Sequence, residues 1–171
     1  TFKMVEIESI TRAAETIKAA GRTEIFGLGA SGIVGLDLHQ KLQRIGIVCS
    51  FNPDPHLQIT AACGLTEKDA AFAISYSGVT PEVVKAAEEA KASGASIISL
   101  TRFGQTPVSE LGDIKLFIPS TERLVREGAM ASRIAQLTMI DILYSIIASR
   151  DTDSAFSHLD RTQKAVHSIG R

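Results

Sequence analysis

AAFAISYSGVTPEVVKAAEEAKASG, residues 70–94, decides the fold. Ala70 to Tyr76 is a short, continuously apolar run, the pattern of a strand buried on both faces. Ser77 and Gly78 break it. Thr80-Pro81 then opens a helix, with Thr80 at the N-cap and Pro81 in the first helical position. Glu82 lies in the first turn, where a carboxylate is favoured, and Gly94 ends the helix. Strand, polar turn and helix follow one another in 25 residues, which is one βα unit.

The same unit recurs on either side. Thr23 to Leu28 reads as a strand ending on glycines, and Ser31 to Ile45 has helical spacing through Ile33, Val34, Leu38 and Leu42. Ile47 to Phe51 reads as a strand, and His56 to Gly64 as a short helix. Ser96 to Leu100 and Ile114 to Ile118 are two more strands. A helical stripe from Val5 to Ala20 precedes them, a strongly apolar helix spans Glu127 to Ser149, and a more polar amphipathic helix spans Ser154 to Ile169. Continuous strands alternating with helices predict a three-layer α/β/α sandwich. Its five-stranded parallel sheet takes the flavodoxin-like order 2-1-3-4-5. Residues 1–171 form one domain, with helical flanks at 1–22 and 151–171.

A formal net charge of -1 gives this segment no field to draw it to nucleic acid or an anionic membrane. No apolar run is expected to reach membrane-spanning length, and no signal-peptide pattern opens the chain. Cys49 and Cys63 lack metal-ligand spacing; free thiols in a reducing, cytoplasmic compartment are the simpler reading, with a disulfide as the alternative. Thr1 already lies inside a helical pattern, so the chain is expected to be part of something longer.

In open parallel sheets, ligands bind beyond the carboxyl ends of the strands, where the strand order reverses. In the order 2-1-3-4-5 that place lies between the loop Gly27-Leu28-Gly29-Ala30-Ser31-Gly32 and the loop Ser75-Tyr76-Ser77-Gly78-Val79-Thr80. Both loops are small and hydroxyl-rich, and both lead into helix N-termini. Helix N-termini offer unpaired N–H groups to an anion. Ser31, Ser75, Ser77 and Thr80 add hydroxyl donors, and neither loop contains Lys or Arg. A phosphate held by neutral donors would bind with a dissociation constant on the order of micromolar to millimolar. The bland alternative is a pair of strand-to-helix turns, with Ser31 and Thr80 as caps.

Gly27, Gly29 and Gly32 also match the dinucleotide pattern GxGxxG. That reading needs an acidic residue at the end of the second strand to hold the ribose. Ser50, Phe51 and Asn52 stand there, and Asp54 follows only after a proline. It also gives Ser75, Ser77 and Thr80 nothing to do.

GLGASG, SYSGVTPEVVKAAEEAK and REGAMASRIAQLTMIDILY resemble the sugar isomerase (SIS) domain, a phosphosugar-binding fold, over roughly Thr23 to Arg150. The resemblance is nearest to the effector domain of RpiR-type bacterial transcription regulators. It implies an N-terminal helix-turn-helix domain beyond this segment, so that DNA is a partner only through that domain. It further implies a sugar-phosphate effector of the amino-sugar or hexose 6-phosphate class and no cofactor. Gly29 and Ser31 would contact the ligand, Ser75, Ser77, Gly78 and Thr80 would hold its phosphate, and Glu127 and Ser132 would lie near the sugar ring.

In SIS isomerases a glutamate at the start of this helix acts as base on the open-chain sugar. The alternative function is therefore an aldose–ketose isomerase with Glu127 as base and His56 as ring-opening acid, supplied by a neighbouring subunit. The tail Ala165-Val166-His167-Ser168-Ile169-Gly170-Arg171 lacks the lysine of glucosamine synthase-type isomerases, and the sensor is preferred. His39, His158 and His167 read as surface residues, Arg126 and Arg133 as solvated, and Lys85 as pointing outward. Asp141, inside an apolar run, reads as a buried hydrogen bond or a subunit contact. The long helix is apolar nearly all round, which predicts burial on several sides, part of it in a homodimer or homotetramer.

Overall fold

The structure, a computed structural model, describes residues 2–119 and 130–170. α1 (Phe2–Ala19) leads into β1 (Thr23–Phe26), α2 (Gly29–Arg44), β2 (Cys49–Phe51) and α3 (Pro55–Cys63). β3 (Ala70–Ile74), α4 (Pro81–Ala92), β4 (Ser96–Arg102), α5 (Pro107–Leu111) and β5 (Ile114–Ile118) follow. α6 (Met130–Ser149), α7 (Thr152–His167) and a 3-10 turn (Ser168–Gly170) close the chain. The strands form one parallel sheet in the order β2-β1-β3-β4-β5, as the sequence predicts.

Alternation along the strands divides the core in two. Ala71 and Ala73 face α3, α4 and α5, where Ala86, Ala87 and Ala90 let the helix sit close to the sheet. Phe72 and Ile74 face the other way, into a cluster with Ile17, Val34, Leu38, Leu42, Ile140 and Leu143 from α1, α2 and α6. β1 therefore sends its chain to one face of the sheet and β3 sends its chain to the other. Because Phe26 pairs with Ala73, the two loops leave the sheet side by side.

Several boundaries differ from expectation for identifiable reasons. β1 ends at Phe26, because Gly27 is hydrogen-bonded to a side chain instead of the ladder. β3 ends at Ile74, although Ser75 N–H still reaches Leu100 C=O at 3.1 Å. α5 went unpredicted: five residues are too few for a periodic signal. Its Thr106-Pro107 start nevertheless repeats the Thr80-Pro81 signal.

α6 is the largest departure. It was expected to be buried on several sides, part of that burial in a subunit contact. Only one face is buried here, through Ser132, Gln136, Ile140, Leu143 and Ile147, while Ile134 is 61% and Ile142 44% exposed. Its 20 residues, at a mean hydropathy of 1.2, are also long and apolar enough to cross a membrane, against the expectation that no run would be. It packs against α1, α2 and β5, so here it is a wall of the domain. Asp141 is not in a buried hydrogen bond: its side chain is exposed and paired with Lys41 at 2.5 Å. His39, expected at the surface, is half-buried, its Nδ1 without a hydrogen-bond partner among the described residues. Burial lowers its pKa. His158 is also half-buried, over Gly46. Both cysteines are free thiols.

Candidate functional site

Helix starts set the two loops after β1 and β3 apart from the other described helix starts. Away from the two loops, each described start is closed by a side chain. Asp54 accepts from His56 and Leu57 N–H at the start of α3. Thr106 and Ser109 form a reciprocal capping box on α5, and Asp151 accepts from Ser154 N–H on α7. α2 and α4 are different. Leu28 at the N-cap of α2 has no side-chain acceptor to offer, and Thr80 at the N-cap of α4 makes no capping bond. The first helical bonds are Gly32 N–H to Leu28 C=O and Val84 N–H to Thr80 C=O. The N–H groups of Gly29, Ala30, Ser31, Glu82 and Val83 therefore lack intrahelical acceptors. Two adjacent helix starts with open donors make a site for an anion.

The hydroxyl loop, 75–80, is organised from within. Ser75 Oγ lies 2.9 Å from Thr80 Oγ1 and accepts from Gly78 N–H at 3.1 Å. Ser77 Oγ accepts from Val79 N–H at 3.4 Å. Gly78 holds φ at 71°, the left-handed region that favours glycine, and its carbonyl accepts from Val108 N–H of α5. Thr80 occupies the N-cap position, as expected, but its hydroxyl serves the loop instead of the helix.

The glycine loop, 27–32, is organised from outside. The Gln58 side chain, buried in α3, accepts from Gly27 N–H at 3.1 Å and donates to Gly27 C=O at 3.0 Å. It also donates to Asn52 C=O at 2.6 Å. On the other side, Ser31 Oγ accepts from Gln136 Nε2 of α6 at 3.1 Å and from Tyr76 N–H of the hydroxyl loop at 3.4 Å. Ser31 thus ties the two loops and α6 together.

The structure brings Gly29, Ser31, Ser75, Ser77, Gly78 and Thr80 to one place. Ser132 sits one helical turn before Gln136 on the same buried face of α6, so the polar end of that face lies toward Ser31. His56 is exposed in the first turn of α3, and its imidazole takes no part in the bonds that join the loops. Glu127, with Arg126, lies outside the described residues. Gln58 and Gln136 were missed in the sequence. Their signal was an amide inside an otherwise apolar helical face, most visibly Gln136 in line with Ile140 and Leu143.

The dinucleotide reading loses further ground. Asp54, the acid nearest the end of β2, is committed to capping α3. Among the described residues, no three His, Cys, Asp or Glu side chains group as a metal site would need.

Known proteins match this architecture. An uncharacterised HTH-type transcriptional regulator of Caldanaerobacter subterraneus is 44% identical over 166 residues, covering 97% of this chain and 59% of that protein. The HTH-type transcriptional regulator RpiR of Escherichia coli is 31% identical, over 93% of this chain and 54% of that protein. The chain thus spans somewhat over half the length of these relatives. The structure of Vibrio vulnificus NanR complexed with ManNAc-6P superposes with a TM-score of 0.89 at 30% identity, covering 95% of this chain and 61% of that one. The SIS domain model matches residues 16–146, most of the chain, and the protein described here belongs to the SIS domain family.

Proposed function

We propose that this chain is the phosphosugar-sensing domain of a bacterial transcription regulator. The phosphate sits between the open starts of α2 and α4, held by backbone N–H groups and by Ser31, Ser75, Ser77 and Thr80. The observation that carries this reading is the contrast in capping: α3, α5 and α7 are closed by their own side chains, and the two helices at the crevice are not. The HTH-type relatives and the ManNAc-6P complex of NanR support it.

Gly29 and Gly78 let the backbone approach the ligand, Ser132, Glu127 and His56 flank the sugar, and no cofactor is required. The regulator works in the cytoplasm as a homodimer or homotetramer and meets DNA through a helix-turn-helix domain outside this segment. Ligand binding changes the geometry of the subunits and so the affinity for DNA. Equal ligand affinity in the free and DNA-bound regulator would exclude that coupling.

Thermal unfolding against a panel tests the ligand directly. The panel holds N-acetylmannosamine 6-phosphate, glucosamine 6-phosphate, N-acetylmuramic acid 6-phosphate and pentose phosphates, with NAD and inorganic phosphate as comparators. A ligand at a hundred times its dissociation constant adds about 2.7 kcal/mol, a rise of roughly 5–10 °C for a domain of this size. A rise with a sugar phosphate that NMR shows unchanged supports the sensor. Turnover of that sugar would make the chain an isomerase with Glu127 as base. No rise with any sugar phosphate would overturn the reading.

A further inference from the structure

We propose that Gln136 is a positioning residue of this site, one that fixes Ser31 as a hydrogen-bond donor to the ligand. The inference rests on the phosphosugar reading and deepens it. A hydroxyl oxygen has two lone pairs and one proton. Both lone pairs of Ser31 Oγ are engaged, by Tyr76 N–H at 3.4 Å and by Gln136 Nε2 at 3.1 Å. Donation is all that remains to it, and its proton is in no bond among the described residues. The partner it is left to find is an acceptor, such as a phosphate or sugar oxygen. A group that can only donate, such as an ammonium, is refused.

Gln136 has little other reason to be where it is. It is fully buried, and its Oε1 has no hydrogen-bond partner among the described residues. A buried carbonyl left unpaired is unfavourable. Leucine or methionine, in line with Ile140, Leu143 and Ile147, would fill the same face without that penalty. Gln58 makes the contrast: its amide is bonded through both the oxygen and the nitrogen, as a purely structural clamp should be. The bond that Gln136 does make goes to Ser31, 105 residues away and at the first turn of an uncapped helix.

Reversing the polarity of the pair is the test. Calorimetric titration with the tightest sugar phosphate of the panel would compare the wild-type chain with Gln136→Met and Gln136→Glu. Each variant would be measured alone and combined with Ser31→Ala. Gln136→Met removes the donor and should weaken binding about 3- to 10-fold. Gln136→Glu supplies an acceptor that turns the Ser31 proton inward, and should weaken binding about 10- to 100-fold. In the Ser31→Ala background, Gln136→Met should have no further effect, because its influence runs through that hydroxyl. Additive losses would overturn the proposal, as would a lowered thermal midpoint with unchanged affinity, the mark of a merely structural residue. Should Gln136→Glu fail to fold, the cycle with Gln136→Met decides alone. A wild-type chain that binds sugar phosphate while both Gln136 variants bind equally well refutes this inference only. A wild-type chain that binds no sugar phosphate refutes the phosphosugar reading as well.

Discussion

The glycine loop and the hydroxyl loop stand side by side and are built on opposite plans. The side chains of Ser75, Ser77 and Thr80 bond within their own six residues, while β4, α5 and Ser31 hold the loop's backbone from outside. The glycine loop is held by two amides, one 31 and one 105 residues away, acting on Gly27 and Ser31. A loop that shapes itself is fragile to its own substitutions. A loop shaped by others is fragile at a distance.

The largest expected effect tests the first half of that contrast. A Cβ on Gly78 would lie 2.1 Å from Thr106 Oγ1, a buried atom that itself caps α5, and φ is 71°. Gly78→Ala should cost about 2–5 kcal/mol by urea denaturation, from backbone strain and overpacking together. Gly29 also has positive φ, at 55°, but a Cβ there meets nothing within 4 Å. Gly29→Ala should cost only about 1–2 kcal/mol. Equal costs would erase the distinction between the loops.

The second half predicts damage from afar. Gln58→Leu leaves the N–H and C=O of Gly27 and the C=O of Asn52 without their partner. Each unsatisfied buried group costs about 1–3 kcal/mol. Partial access to water should bring the total to about 2–4 kcal/mol in the same assay. Ser77→Ala, in the self-organised loop, removes one long bond to Val79 and should cost about 0.5–1 kcal/mol of stability. It should still weaken sugar-phosphate binding by about tenfold, as the loss of one hydrogen bond to an anion. A Gln58→Leu variant as stable as the wild type would show that the glycine loop holds itself.

The smallest effect compares the regions flanking the loops. Cys49, on the edge strand beside β1, has its thiol pKa raised from 9.0 to about 11, by burial first and the Glu24 carboxylate second. Its protonated form is favoured on folding, so its contribution to stability is complete below pH 9 and fades as pH rises toward 11. At pH 8, iodoacetamide should modify Cys63, exposed at the end of α3, and leave Cys49 intact until the chain unfolds. Mass spectrometry reads both sites. Rapid labelling of Cys49 in the native chain would mean that this edge of the sheet opens readily.

The same contrast explains what could be read in advance. Strand order, the two loops and the Thr80-Pro81 helix start were legible, because apolar runs, small residues and proline are local signals. Ser75, Ser77 and Thr80 were legible as a group because they act as a group within six residues. Gln58 and Gln136 were not, because their meaning lies in a partner across the fold, and sequence alone does not say which backbone an amide will meet. The single-face burial of α6 within this chain was not legible for a related reason: composition reports how apolar a helix is, but not how much of it its own chain covers. Of the two readings of Asp141, the buried hydrogen bond failed in the same way, since its partner Lys41 lies on α2 and the Asp141 side chain is exposed.

The two helix starts at the crevice also leave this domain's secondary structure open at two points. On the proposed reading, a bound phosphosugar would supply the acceptors that Asp54, Thr106 and Asp151 supply elsewhere from within. Such a ligand would in that sense be a missing cap, and resistance to unfolding would gauge its concentration. A regulator built this way would outlast its empty form wherever proteases sample the open chain, so its abundance and its occupancy would rise together.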